Sequence, residues 1–120
     1  LWNNKRAEIA KLYRSFLGGL PGLDIIPERP DSLHTYHLFV IFIEKRDSLR
    51  EFLRRKKIET GIHYPRAITE QTAFLEYTSD HSCHLSEKDA KMGLSLPMHP
   101  FLTVSEVKYV ASQIKKWLRI

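Results

Sequence analysis

One run of residues constrains the fold more than any other. In YHLFVIFI (36–43) every position except His37 is apolar or aromatic, and three are β-branched. Such a run reads as a central strand covered on at least one face. It needs partners, and three shorter segments fit. A possible edge strand at 24–26 lies within the proline- and glycine-punctuated loop LPGLDIIPERPDSLHT (20–35). A short strand follows at 58–62, and a third is GLSLP (93–97), stopped by its proline.

The cover comes from helices between these strands. Over 2–20, Ile9, Leu12, Tyr13, Phe16, Leu17 and Leu20 recur at spacings of three and four, and Gly18, Gly19 and Pro21 stop the pattern. Ser48 and Glu51 read as a capping box opening a helix that buries Leu49, Phe52 and Leu53 and ends near Lys57. The stretch 66–92 predicts a helix over 70–77, a polar turn TSDHS (78–82), and a second helix opened by Ser86 with Asp89 at its third position. Thr103 and Glu106 form another capping box, before a helix with Val107, Val110, Ala111, Ile114 and Leu118 on one face. Together they predict an α/β two-layer sandwich, a small three- or four-stranded sheet covered by helices on one face.

At 120 residues the chain fits one domain, able to bury roughly two thirds of its unfolded surface without staples. The single cysteine, Cys83, rules out an internal disulfide framework, and no apolar run approaches the ~20 residues of a membrane span. A reducing, cytoplasmic location is the default expectation. The start, LWNNKRAEIAKLYRSF, has the layout of an amphipathic helix rather than a signal peptide, and its initial Leu suggests a piece of something longer. The net charge of +5 raises the question of an anionic partner. The densest basic run, Arg54-Arg55-Lys56-Lys57, falls in the last turn of a predicted helix, where cations complement the helix dipole.

There is no glycine-rich phosphate loop, no Cys-x-x-Cys pair and no His-Glu-x-x-His helix. His81, Cys83 and His84 are close in sequence but lack the fourth group and the spacing of a tight zinc site, and read as a polar surface loop. His34 and His37 flank Tyr36, and one of them reads as a structural hydrogen-bond partner. TGIHYP (60–65) is different in kind. Gly61 permits close backbone approach, Ile62 anchors a strand end, His63 and Tyr64 project, and Pro65 holds the residue before it extended. An imidazole and a phenol there can donate to a phosphate or carboxylate, or simply close a turn. LSLPMHP (94–100) repeats this grammar with His99, and the two corners are expected to frame one surface.

These motifs carry a resemblance. Trp2-Asn3 with Arg6, YHLFVI, TGIHYP, Cys83 followed by Ser86-Glu87, LSLPMHP, and the run from Thr103 through Glu106-Val107 to Tyr109-Val110 match, in order and spacing over essentially the whole chain, the C-terminal domain of the DegT/DnrJ/EryC1/StrS family. The chain resembles the small domain of these pyridoxal-phosphate-dependent sugar aminotransferases. The resemblance implies a fold type I homodimer in which a separate large domain carries the cofactor and its Schiff-base lysine. It implies amine transfer from glutamate or glutamine to a keto sugar attached to a nucleotide, with the small domain contributing to substrate binding. By motif match, His63 and Tyr64 become donors to the diphosphate, with His37 and His99 as secondary candidates. No catalytic, cofactor or metal residue is expected within the chain, which alone should be inactive. The chain departs from the family where a second proline and a histidine are usual, having Ala67 and Thr69, and His84 stands where proline commonly follows the cysteine. Two other readings remain open: a stand-alone or regulatory remnant of the aminotransferase fold, and a basic nucleic-acid-binding module.

Overall fold

The computed structural model describes residues 1–78 and 83–120. The order is α1 (Trp2–Leu17), β1 (Asp24–Ile25), β2 (Phe39–Phe42), α2 (Arg46–Arg55), two 3-10 turns (Ile68–Glu70 and Thr72–Phe74), α3 (Leu75–Thr78), α4 (His84–Met92), β3 (Gly93–Leu96) and α5 (Val104–Leu118). The strands form an antiparallel sheet ordered β1-β2-β3, with Ile25 opposite Ile41, Ile41 opposite Leu94 and Val40 opposite Ser95. The apolar run 36–43 does supply the central strand, and the α/β architecture with its small sheet is as expected.

The period of two divides the sheet's faces. Phe39 and Ile41 of β2, with Leu94 and Leu96 of β3, are buried among Ile9, Tyr13 and Leu17 of α1, Leu49 and Leu53 of α2, and Val107 and Ile114 of α5. Tyr13 stacks on Phe39 at 5.0 Å between ring centres and donates its hydroxyl to the Pro97 carbonyl at 3.0 Å. Burial raises the pKa of that phenol, and the charge of Glu106 adds to the shift. Val40 and Phe42 point the other way and are only half-buried, so the opposite face is left with a cavity flanked by α4.

Several local expectations are corrected. The strand expected over 58–62 is a single bridge, in which Gly61 exchanges both backbone hydrogen bonds with Ser95 at the free edge of β3. The chain leaves α2 through Lys57 at φ 59°, with the Ile58 N–H spent on the Leu53 carbonyl, too late to join the sheet earlier. α2 begins at Arg46, not Ser48. The buried Arg46 guanidinium anchors that end by donating to the carbonyls of Ala90 (3.2 Å) and Gly93 (3.0 Å), while Glu51 is engaged by Arg54 and Arg55. Residues 36–38 precede the strand, because Tyr36 adopts φ 51° and its N–H donates to His34 Nδ1 at 2.8 Å. The helix expected over 70–77 is broken into short turns by the extended Gln71. α4 starts at His84 rather than Ser86, its first turn closed by Glu87 accepting from the Cys83 N–H. The expected turn over 78–82 lies almost wholly outside the described residues. The Thr103–Glu106 capping box forms as read: Thr103 Oγ1 accepts from the Glu106 N–H at 3.2 Å, and Glu106 Oε2 accepts from the Thr103 N–H at 2.8 Å.

Candidate functional site

The open face of the sheet holds a cavity of about 500 Å³, within the range of small-molecule sites. Its apolar wall is Ile26, Val40, Phe42 and Ala90, and the turn after Gly61 brings His63, Tyr64 and Arg66 to it. Three features of the sequence place His63. Ser95 sits between Leu94 and Leu96, so the alternation that buries the leucines turns its hydroxyl to the cavity side. The Gly61–Ser95 bridge brings the two motifs together, and His63 Nδ1 shares a 3.0 Å hydrogen bond with Ser95 Oγ. Gly61 leaves room for the ring, since a Cβ there would stand 2.5 Å from His63 Cε1 and 3.2 Å from Nδ1.

In the tautomer whose Nδ1 accepts from the serine hydroxyl, Nε2 carries the proton and can donate outward. Tyr64 meets His63 edge-on, with ring centres 5.9 Å apart, and is 75% exposed. The peptide bond joining the two residues is cis. Two hydrogen-bond donors on one turn, over an apolar floor, suit an anionic oxygen group. No carboxylate among the described residues pairs with Arg66, whereas Arg14, Arg29, Arg46, Arg54 and Arg55 each have one.

The remaining candidates are placed differently. His37 is exposed and lines a neighbouring cavity with Arg14 and Tyr36, which shares Ile26 and Val40 with the first. His99 is not brought to His63. It lies in a groove with Ile58, Glu59 and Tyr109, and its Nδ1 accepts from the Phe101 N–H at 3.3 Å to close a turn. The two proline-stopped motifs therefore meet through Ser95, not through their histidines. His34, bonded to the Tyr36 N–H, is the structural histidine of its pair.

Sequence reading missed Ser95, Arg66 and Asp89, and the hold on the loop between them. Glu87 Oε1 accepts from Thr69 Oγ1 as well as from the Cys83 N–H, both at 3.2 Å. Thr69 thus ties its loop to α4. Cys83 is exposed and free. No three His, Cys, Asp or Glu side chains converge as a metal site among the described residues, and His81 lies outside them.

In the basic run Arg54 and Arg55 share the single Glu51 carboxylate, and the Lys56 ammonium lies 5.7 Å from the centre of the Phe52 ring. Among the described residues no helix is long and apolar enough to cross a membrane.

A small antiparallel sheet with a helical layer on one face and this donor-lined cavity on the other is an architecture found within fold type I aminotransferases. The chain belongs to the DegT/DnrJ/EryC1/StrS aminotransferase family, whose model matches residues 1–115. It is 34% identical over 117 residues to the dTDP-3-amino-3,4,6-trideoxy-alpha-D-glucose transaminase of Streptomyces venezuelae, covering 97% of this chain and 31% of that protein. It is 30% identical over 115 residues to the dTDP-3-amino-3,6-dideoxy-alpha-D-galactopyranose transaminase of Aneurinibacillus thermoaerophilus, covering 96% of this chain and 31% of that protein. The crystal structure of DesV from S. venezuelae superposes with a TM-score of 0.93 at 32% identity, covering 99% of this chain and 32% of that one. The chain thus spans about a third of the length of the relatives it matches.

The family depends on pyridoxal phosphate. The cavity does not fit that cofactor by its own residues, because none of the described residues lining it is a lysine that could hold the aldehyde.

Proposed function

We propose that this chain is the C-terminal, substrate-binding domain of a cytoplasmic, homodimeric aminotransferase that transfers an amine from glutamate or glutamine to a keto sugar carried on a nucleotide. Pyridoxal phosphate, held by the part of the enzyme that corresponds to the remaining two thirds of its relatives, supplies the carbanion chemistry. The share of this chain is to bind and orient. His63 donates through Nε2 and Tyr64 through its hydroxyl to oxygens of the substrate's diphosphate, and the floor of Val40 and Phe42 shields those bonds from water. Donors to a charged acceptor of this kind contribute about 1.5–3 kcal/mol each.

The observation that carries this reading is the pair of donors on one turn at the mouth of the cavity, the first fixed by Ser95 at 3.0 Å. Membership of an aminotransferase family and relatives named as dTDP-sugar transaminases support it.

The test is an assay of the full-length protein with glutamate or glutamine and a keto nucleotide sugar, alongside the 120 residues alone. Turnover by the first and none by the second is expected. Turnover by the 120 residues alone would overturn the division of labour.

A further inference from the structure

Within the cavity wall one residue has a charge that neither the family match nor the paired donors account for. Arg66 follows Tyr64 by two positions and is the only lysine or arginine among the described lining residues. It is exposed, and no carboxylate among the described residues pairs with it. The other charged group of the cavity is Asp89 of α4, also exposed and in no described ion pair with Arg66. An unpaired guanidinium beside two hydrogen-bond donors completes the chemistry for a diphosphate, because its planar fork matches two phosphate oxygens at once.

Resting on the reading of the site given above, we propose that Arg66 is a substrate-binding residue. It supplies a permanent positive charge beside His63 and Tyr64 and sets the preference of this cavity for a dianionic diphosphate over a neutral or singly charged group. Its place on the same short turn fixes its reach relative to the two donors. Asp89 also lines the cavity, and its charge opposes an anion bound near it.

Calorimetric titration of the full-length protein with deoxythymidine diphosphate glucose, and with deoxythymidine as a phosphate-free control, tests this at low and high salt. Arg66→Gln is expected to raise Kd for the diphosphate sugar by about 10-fold or more and to flatten its salt dependence. Arg66→Lys should recover part of the loss, short of the wild type because the ammonium lacks the planar fork that pairs two oxygens in a fixed geometry. Asp89→Asn should tighten binding slightly. Arg66 makes no described ion pair, so a thermal melt of Arg66→Gln matching the wild type shows that the fold is intact.

If Arg66→Gln leaves Kd unchanged while His63→Ala with Tyr64→Phe weakens binding, the role of Arg66 is overturned and the reading of the site stands. If the wild-type protein binds the diphosphate sugar no better than deoxythymidine, both are overturned.

Discussion

Gly61→Ala separates the geometry of the site from the stability of the fold. The Gly61 backbone is not left-handed, and both its hydrogen bonds to Ser95 can persist with a methyl group present. What cannot persist is the His63 ring. The new Cβ would lie 2.5 Å from Cε1, so the imidazole must rotate away and give up its 3.0 Å bond to Ser95 Oγ. Losing that bond costs about 0.5–1.5 kcal/mol. Alanine restricts the unfolded chain and returns about 0.4–1 kcal/mol. The two nearly cancel, and chemical denaturation should show a change in stability below about 1 kcal/mol. Binding has no such offset. On the proposed role of His63, its displacement loses a donor to a charged oxygen, about 1.5–3 kcal/mol, so KM for the nucleotide sugar should rise by roughly 10- to 150-fold. Steady-state kinetics of the full-length enzyme read the second quantity and urea unfolding the first. Unchanged KM with the ring displaced refutes the role of His63. A loss of several kcal/mol refutes the local account of Gly61.

Three further predictions concern what positions the site. Arg46→Met removes the donor to the Ala90 and Gly93 carbonyls at the junction of α4 and β3, and at about 1–3 kcal/mol for each group left unpaired it should cost about 2–6 kcal/mol in urea unfolding; a loss under about 1 kcal/mol contradicts the assignment. Thr103→Ala should cost about 0.5–2 kcal/mol and let the Glu106 carboxyl rise only partway in a carbon-detected titration, because alanine removes the hydroxyl donor but keeps the backbone N–H that chiefly holds it low. Hydrogen bonds from Arg54 and Arg55 hold the Glu51 carboxyl down to about 2. A depressed pKa stabilises the fold above the unfolded value near 4.5, and the contribution fades as pH falls from there toward 2, so Glu51→Gln should narrow the difference in stability between pH 6 and pH 3; an unchanged difference would show that the cluster contributes nothing.

Much of this fold is legible in the residues. The central strand, the one-sided α1 and α5, and the Thr103 cap each follow from a local pattern whose side chains then do what the pattern implies. The misplaced elements depend on partners distant in sequence. Ser48 and Glu51 satisfy a capping template, yet α2 begins earlier because Arg46 finds carbonyls more than forty residues away. A strand at 58–62 has suitable residues, but the left-handed Lys57 and the Ile58–Leu53 bond delay the chain until Gly61.

The site divides in the same way. TGIHYP announces itself as a corner, and the alternation in LSLPMHP does contain the signal that Ser95 faces away from its leucines. That Ser95 would hold His63, and that His99 would turn elsewhere, depends on the pairing of Gly61 with β3, which no local pattern encodes. Arg66 and Asp89 read as ordinary surface charges until the sheet and α4 set them around one cavity.

The central claim is that His63 and Tyr64 bind the diphosphate of a nucleotide sugar without touching the cofactor. It is tested most directly by measuring KM for the nucleotide sugar and the cofactor absorbance of the full-length enzyme with His63→Ala and Tyr64→Phe combined. A KM raised by at least about two orders of magnitude with the absorbance unchanged is the result predicted. An unchanged KM contradicts the claim.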